Sequence, residues 1–317
     1  MKKKVLICGA TGFIGRNAVE YYIKRDDIEL FCTYHETLPF TQEGLTWVHA
    51  DLTQVQDVIN ALSGMDIIIQ AAAVTSGAKD IVNNPQMHVA PNAIMNALIF
   101  RSAVELNIKQ VIFFSCSIMY QSSDKPVKEE EMNMNLPLTP SYFGAGWTKF
   151  YNEKMCEFYA KLGKTKFTVI RHSNTYGPHD KYDLNKSHVF GATVTKVMTA
   201  PNNGKVVVWG TGEEGRDLLY IDDLIAFIDA ALTKQQDNFQ LMNVGLGKVT
   251  TIKDLVAKII AASGKSITVE YDLSKPTIKT SLCLDITKAG KLFGWQPQVS
   301  LEEGIAKTLA WYKTYKV

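Results

Sequence analysis

The sequence lacks the features that mark several large classes of protein. No stretch approaches the roughly twenty consecutive apolar residues that cross a bilayer. The formal net charge is only +2, from 34 basic and 32 acidic residues, so the chain has no basic field for nucleic acid or for an acidic membrane surface. We therefore expect neither a nucleic-acid partner nor a membrane partner.

Cysteine is scarce and scattered. The five cysteines are Cys8, Cys32, Cys116, Cys156 and Cys283. Their odd number and the lack of any CxxC or Cys/His cluster argue against structural disulfides and against zinc. The apolar run at 5–10 is too short for a signal peptide and leads straight into glycines, so it predicts a first strand. We predict a cytoplasmic protein with no metal site.

Short apolar segments alternate with helical periodicity through the first 170 residues. At 317 residues and 46 % apolar content, the chain is long enough for one large domain or two closely joined ones. The predicted strands are 5–8, 29–33, 46–49, 66–70, 111–114 and 168–171, and the predicted helices are 12–24, 55–62, 92–106 and 147–162. This alternation is typical of parallel βαβ units and predicts an α/β fold with a doubly wound parallel sheet, the Rossmann arrangement.

The alternation ends after Arg171. Residues 174–185 are polar and rich in turn formers, and later segments predict strands at 206–209 and 241–244 with helices at 221–232, 251–263 and 301–315. We expect a dinucleotide-binding domain over 1–172, with 205–240 returning to it. A smaller C-terminal substrate-binding lobe is expected from 173–204 and 241–317.

Three glycines follow the first predicted strand, at Gly9, Gly12 and Gly15. In a strand–turn–helix unit the first glycine allows a sharp turn, and the second allows backbone N–H groups to approach a pyrophosphate closely. The third allows the helix to pack tightly against the strand. The helix that follows directs the positive end of its dipole at the phosphates. We predict that a nicotinamide dinucleotide contacts this loop, specifically Gly9, Thr11, Gly12, Phe13, Ile14, Gly15 and Arg16.

The end of the second predicted strand bears on the choice between NAD and NADP. An acidic residue there usually accepts a hydrogen bond from the ribose 2′-hydroxyl of NAD. This chain has Thr33, Tyr34 and His35 in that place, with no carboxylate at the strand end. Thr33, His35 and Arg16 tolerate a 2′-phosphate, so we predict a preference for NADP.

Asp51 and Leu52 follow the third predicted strand. Asp51 is placed to accept from the adenine amino group of the cofactor. It is equally well placed to begin the helix predicted at 55–62, and the sequence leaves both interpretations open.

Several ordered motifs together resemble the extended short-chain dehydrogenase/reductases of the nucleotide-sugar epimerase/dehydratase family, with the closest pattern in the GDP-fucose synthases. The resemblance spans nearly the whole chain. The motifs that carry it are Gly9–Gly15, Ala71-Ala72-Ala73, Phe114-Ser-Cys-Ser-Ile-Met-Tyr120, Lys149, Arg171-His-Ser-Asn-Thr-Tyr-Gly-Pro178, Ser187-His188-Val189, Gly215-Arg216-Asp217 and Gly294-Trp295-Gln296-Pro297. It implies that Ala71, Ala72 and Ala73 form the cofactor floor, and that helices 92–106 and 147–162 pair in a homodimer.

The chain departs from this family at the catalytic Ser…Tyr-x-x-x-Lys unit. The family's lysine corresponds to Lys149, which holds the nicotinamide ribose and lowers the pKa of the tyrosine four residues earlier. Here that position is Ala145, and the family's serine position is Cys116. Ser117 and Tyr142 are the nearby hydroxyl-bearing candidates for the roles of the missing serine and tyrosine. An epimerising cysteine of the GDP-fucose synthases is replaced by Ile118.

The resemblance also implies a substrate side. Arg216 corresponds to the arginine that clamps the diphosphate of the sugar nucleotide, a task that suits the guanidinium fork. His188 corresponds to an acid residue, and Asn174 and Lys279 are further substrate contacts.

These residues predict an NAD(P)-dependent enzyme that modifies a nucleotide-diphosphate sugar as an epimerase, 4-ketoreductase or dehydratase. The alternative is a catalytically silent chain that binds cofactor and sugar nucleotide, because Ala145 lacks the phenol. That alanine is explained either by natural divergence or by an engineered Tyr-to-Ala change. A non-nucleotide carbonyl substrate is a third interpretation, which Arg216 disfavours.

Overall fold

The computed structural model describes residues 2–75, 81, 83–275, 277 and 280–315. The strands are β1 (Lys3–Cys8), β2 (Ile28–Tyr34), β3 (Leu45–His49), β4 (Ile67–Gln70), β5 (Gln110–Phe114), β6 (Lys166–His172), β7 (Asn174–Tyr176), β8 (Gly204–Trp209), β9 (Gly215–Tyr220), β10 (Phe239–Val244), β11 (Val249–Thr251) and β12 (Ile267–Asp272). The α-helices are α1 (Phe13–Tyr22), α2 (Val55–Leu62), α3 (Ala90–Glu105), α4 (Phe143–Lys161), α5 (Val189–Thr199), α6 (Ile221–Lys234), α7 (Ile252–Ser263), α8 (Thr287–Phe293) and α9 (Leu301–Tyr315).

Seven parallel strands form the central sheet, in the order β10-β6-β5-β4-β1-β2-β3. Its central strands are apolar on both faces, because successive side chains of a strand point to opposite sides. In β4, Ile67 and Ile69 join one buried cluster and Ile68 joins the other. The predicted doubly wound α/β fold is confirmed.

Helices cover both faces of this sheet. One buried cluster contains residues of α1 and α6, such as Val19 and Phe227, and the other contains residues of α2, α3 and α4, such as Leu62, Phe100 and Cys156. Burial of these apolar stripes against the sheet is the main stabilisation of the elements. Over the stretches that the structure describes, no helix is both long and apolar enough to span a membrane.

The C-terminal part of the chain is organised differently from the prediction at two strands. Strand β10 was assigned to the substrate lobe, but it pairs with β6 at the edge of the central sheet. Strand β8 was assigned to the dinucleotide-binding part, but it pairs with β12 in a separate two-stranded sheet. A strand's apolar pattern does not specify its partner, so these pairings depend on tertiary contacts.

Several short elements between 174 and 293 were not predicted from the sequence. Strands β7, β9 and β11 form a three-stranded sheet, and α5 begins at Val189. Strands of three residues, such as β7 and β11, are too short to show a periodic apolar pattern. They are recognised only by their pairing with a strand that is distant in sequence.

A buried polar network joins the central sheet to α4. Arg171 of β6 and Glu153 of α4 form an ion pair at 2.6 Å with side chains that are 2 % and 3 % exposed. Arg171 also donates to the Tyr120 hydroxyl and to the Glu129 carbonyl, and Glu153 accepts from the Ser115 hydroxyl. A buried ion pair is stable only when the donors and acceptors of both side chains are hydrogen-bonded, as they are here.

We predict that Arg171→Met destabilises the fold by about 3–5 kcal/mol, because it leaves the Glu153 carboxylate buried without its partner. The double variant Arg171→Met/Glu153→Met is expected to be less destabilised than the sum of the two single variants. Denaturant unfolding measures these free energies. Arg101→Met is the control, since the Arg101–Glu105 pair is exposed and is expected to contribute less than about 1 kcal/mol. Additive single and double effects would contradict the coupling.

Candidate functional site

The glycine loop connects β1 to α1 at the carboxyl edge of the sheet. Gly9 has φ of +71°, and a Cβ there would lie 2.6 Å from the Ala72 Cα. A Cβ at Gly15 would lie 2.2 Å from the Gly9 carbonyl oxygen. Both distances are far shorter than real contacts, so only glycine allows the loop to pack against β4 and against the start of α1.

The start of α1 is suited to a phosphate. Gly12 is the residue before the first turn, no side chain caps the helix, and the first turn carries no acidic residue. The first N–H groups of a helix are unsatisfied within the helix, and together with its dipole they favour an anion. The predicted contacts Phe13 and Ile14 lie on this turn and Thr11 precedes it, so the residues present fit a dinucleotide pyrophosphate.

The end of β2 carries the residues predicted to face the cofactor ribose. The Thr33 hydroxyl accepts from the Gly9 N–H at 2.9 Å, so it holds the glycine loop. His35 is exposed, with its ring 5.9 Å from that of His49. The Arg16 guanidinium lies 3.3 Å from the centroid of the Phe40 ring, and its Nε donates to Glu20. The Arg16 cation near this strand end is therefore paired with a carboxylate.

The segments after β3 and β4 complete this edge. Asp51 Oδ1 accepts from the backbone N–H and the hydroxyl of Thr53, within the turn that precedes α2. Leu52 is buried. Ala71 donates its N–H to the Cys8 carbonyl, and Ala72 packs against Gly9, so Ala71, Ala72 and Ala73 follow β4 directly beside the glycine loop.

Lys149 lies at the carboxyl end of β5. Its Nζ donates to the Phe114 carbonyl at 2.7 Å, and burial lowers the pKa of this lysine, opposed by Cys116 and Glu153. Burial likewise raises the pKa of the Cys116 thiol, although the Lys149 charge opposes the effect. The thiol is therefore a protonated group next to a cation.

A small cavity of about 60 Å³ brings four of the predicted residues together. Ser117, Tyr142, Asn174 and Arg216 line it, although they come from four separate segments. Arg216 donates to the carbonyls of Gly215 and Thr280, which orients its guanidinium. Burial raises the pKa of Tyr142, with the Arg216 charge opposing, so the phenol remains protonated.

Tyr142 does not stand in the family's tyrosine position. It ends a single turn of 3-10 helix, Pro140–Tyr142, and comes immediately before α4. Lys149 and Ala145 both lie within α4, one turn apart, so the helix carries a methyl group one turn before Lys149.

His188 precedes α5, outside the four residues of that cavity. His188 is exposed to solvent, and partial desolvation together with the charges of Lys181 and His88 lowers its pKa. Lys279, the remaining predicted substrate contact, lies outside the described residues. Among the described side chains, no group of three or more His, Cys, Asp or Glu residues is arranged to hold a metal ion.

One residue near the site, His172, was not singled out from the sequence. It ends β6, and burial, Lys149 and His188 lower the pKa of His172 to about 4. His172 belongs to the 171–178 motif, but only the sheet shows that it ends the strand next to β5, whose last carbonyl accepts from Lys149.

Comparisons with known proteins agree with this geometry. Residues 5–245 match the model of the NAD dependent epimerase/dehydratase family. The chain is 30 % identical to the GDP-L-colitose synthase of Yersinia pseudotuberculosis, with 99 % of each chain covered. It is 29 % identical to the GDP-L-fucose synthase of Escherichia coli K12, over 98 % of this chain and 97 % of that one.

Solved structures show the same fold. A UDP-glucose 4-epimerase from Thermotoga maritima has a TM-score of 0.87 at 24 % identity, with 98 % of this chain and 99 % of that chain covered. A GDP-6-OMe-4-keto-L-xylo-heptose reductase from C. jejuni has a TM-score of 0.86 at 22 % identity, with 99 % of this chain and 98 % of that chain covered. At these identities the likeness concerns the fold.

Asp180, in the loop after Gly177-Pro178, leads to a prediction about how the stability of the protein depends on pH. Its carboxylate accepts from the Lys181 N–H, and burial raises the pKa of Asp180 from 3.8 to about 7. Between those values the folded state binds more protons than the unfolded state, so this group lowers stability as pH rises. Asp180→Asn should therefore stabilise the protein by about 2 kcal/mol more at pH 8 than at pH 5.

Thermal or denaturant unfolding at the two pH values measures the Asp180 effect. Asp183→Asn is the matched control, because Asp183 is an exposed aspartate in the same loop. A stability change for Asp180→Asn that is the same at pH 5 and pH 8 would contradict the prediction.

Proposed function

Because the chain belongs to the NAD dependent epimerase/dehydratase family, we propose that it modifies a nucleotide-diphosphate sugar at C4, as an epimerase or 4-ketoreductase. The observations that carry the proposal are the cavity of Ser117, Tyr142, Asn174 and Arg216, and the placement of Lys149 at the carboxyl end of β5. Ligands of doubly wound folds bind at that edge. Two relatives named for GDP-sugars cover nearly the whole chain, which favours GDP as the nucleotide.

The proposed cofactor is NADP(H), held by the glycine loop and by the first turn of α1. When bound, the nicotinamide supplies or accepts hydride. The preference over NAD(H) is supported by the residues that end β2, since Thr33, Tyr34 and His35 include no carboxylate. Arg16 lies on the adjacent helix and offers a cation to a 2′-phosphate.

Each remaining residue has a role that follows from its chemistry. Lys149 orients the nicotinamide ribose, and Cys116 or Ser117 contacts the C4 oxygen of the sugar. Arg216 binds the diphosphate, for which a partly buried guanidinium fork provides two parallel hydrogen bonds. His188 gives or takes a proton near the sugar. The five cysteines, none in a disulfide, are in keeping with a cytoplasmic location.

A second candidate function is favoured by one observation, the methyl group of Ala145 in place of a phenol. On this alternative the protein binds cofactor and sugar nucleotide without turnover. Ala145→Tyr separates the two. Turnover in the parent chain supports the enzyme, whereas turnover only in Ala145→Tyr supports the silent binder.

We expect calorimetric titration to show NADPH binding tighter than NADH binding, followed by binding of a GDP-sugar to the NADPH complex. Arg216→Lys should weaken the GDP-sugar affinity by about tenfold or more and leave the NADPH affinity unchanged, because lysine keeps the charge but loses the bidentate fork. Arg101→Lys, at an exposed pair on α3, is the control. Cofactor binding without any binding of GDP-, UDP-, CDP- or dTDP-sugars would reject the proposed substrate class.

We also propose a homodimer formed through α3 and α4. Ile94 of α3 and Trp147, Tyr151 and Phe158 of α4 are 48 %, 40 %, 58 % and 58 % exposed. Positions 147, 151 and 158 follow helical spacing and form one apolar stripe, which is unusual on a surface facing water. Two copies related by a two-fold axis would bury this stripe against its equivalent.

Phe158→Glu is expected to convert the dimer to a monomer, because it places a charge within the buried stripe. Analytical ultracentrifugation measures the change. Leu273→Glu, at another exposed apolar residue, is the control and should leave the sedimentation unchanged. A parent chain that sediments as a monomer would contradict the proposed interface.

A further inference from the structure

Residues 177–182 form a strap that follows β7. Its two ends are joined, because the Tyr182 hydroxyl donates to the Gly177 carbonyl at 2.8 Å. Both ends are also buried against other elements. A Cβ at Gly177 would lie 2.6 Å from the Ile221 side chain, and the Tyr182 ring lies 5.1 Å from the Tyr312 ring. The strap is therefore a loop with a fixed base, and movement of residues 178–181 leaves the packing of that base in place.

On one side the strap is tied to α1, the helix that begins at the glycine loop. The Asn17 side-chain amide donates to the Pro178 carbonyl at 2.9 Å, and His179 Nε2 lies 2.9 Å from Glu20 Oε1. The His179 hydrogen bond lowers the pKa of Glu20 to about 2, against the effect of burial, so this carboxylate is charged at neutral pH. Residues 178 and 179 are thus held against the helix whose start is suited to a pyrophosphate.

On the other side the strap is tied to the segment after β4. Lys181 Nζ donates to the Thr75 carbonyl at 2.6 Å. Thr75 closely follows Ala72, which packs against Gly9 of the glycine loop. An ionised donor makes this a stronger hydrogen bond than one between neutral groups. A lysine that follows β7 therefore reaches the segment that leaves β4.

The two tethered elements flank the point where the strand order of the central sheet reverses. Strand β1 pairs with β2 on one side and with β4 on the other, and the chain returns from β3 at the sheet edge to β4. In doubly wound sheets a ligand binds in the crevice outside the strand ends at this reversal. Because α1 follows β1 and Thr75 follows β4, the strap spans the crevice proposed for the dinucleotide.

We propose that the strap is a gate on exchange of the nicotinamide cofactor. The Lys181–Thr75 tether holds it shut on one side, and the contacts with Asn17 and Glu20 hold it shut on the other. A dinucleotide enters or leaves when the strap lifts from one of these sides. Because each tether joins two protein groups, it slows entry as well as exit. The gate rests on the proposed function. In a 4-ketoreductase, which consumes one NADPH in each turnover, its opening sets an upper limit on the turnover rate.

The decisive variant is Lys181→Met, which keeps an unbranched side chain but has no ammonium group. Stopped-flow measurement of nicotinamide fluorescence gives the association and dissociation rates of NADPH. Both rates should rise by about tenfold, the scale of one hydrogen bond from a charged group. The Kd for NADPH should stay within about threefold of the parent value, because a gate changes the barrier and leaves the bound state as it was.

Lys186→Met is the matched control. Lys186 is exposed in the same loop but outside the strap, so this variant removes the same charge and should keep the parent rates. His179→Asn tests the opposite side. It removes the contact with Glu20, and asparagine readily adopts the φ of +65° of this residue, so both rates should again rise.

Two outcomes of these measurements would overturn the gate and leave the proposed function intact. One is parent rates of NADPH association and dissociation in Lys181→Met. The other is faster dissociation with an unchanged association rate and a weaker Kd, which would show that Lys181 binds the cofactor directly.

A second measurement needs no cofactor. Hydrogen exchange followed by mass spectrometry should show faster exchange of the 177–182 amide groups in Lys181→Met than in the parent chain or in Lys186→Met. Unchanged exchange in Lys181→Met would overturn the tether, and the gate with it. Failure of the parent chain to bind NADPH or NADH would instead reject the proposed cofactor site on which the gate rests.

Discussion

The buried ion pair between Arg171 and Glu153 is the constraint on which the site depends. Two charges with almost no solvent contact are tolerated only when nearly all their hydrogen-bonding groups are paired, and here Ser115, Tyr120 and the Glu129 carbonyl provide the remaining partners. The network therefore permits few arrangements of α4 against the sheet. It links the ends of β5 and β6 with the loop that follows β5.

Lys149 depends on this arrangement, because it lies one helical turn before Glu153 on α4. When Glu153 is anchored to β6, Lys149 is directed to the Phe114 carbonyl at the end of β5. Cys116 follows the same strand two residues after Phe114, and His172 ends the neighbouring strand β6. A structural ion pair thus positions the groups proposed to act on cofactor and substrate, without itself contacting either one.

Burial has opposite effects on the acids and bases around the site, and the result is a set of neutral groups. It raises the pKa of Cys116 and Tyr142 and lowers the pKa of His172, because it disfavours whichever form is charged. Lys149 and Arg216 remain as the cationic groups proposed to hold cofactor and diphosphate. This separation of fixed cations from neutral proton carriers suits hydride transfer at an uncharged sugar carbon.

Local pattern alone was enough to predict the strands β1 to β6 and the glycine loop, because apolar periodicity and glycine spacing are local features of the sequence. Alternating apolar periods predict β1 to β6 and their helices, and the spacing of Gly9, Gly12 and Gly15 predicts the phosphate turn. The partners of β8 and β10, the cavity that joins Ser117 to Arg216, and the contact of Lys149 with the Phe114 carbonyl were decided by the tertiary structure. Those features bring together residues that are distant in sequence, and no short-range pattern specifies which strand ends meet.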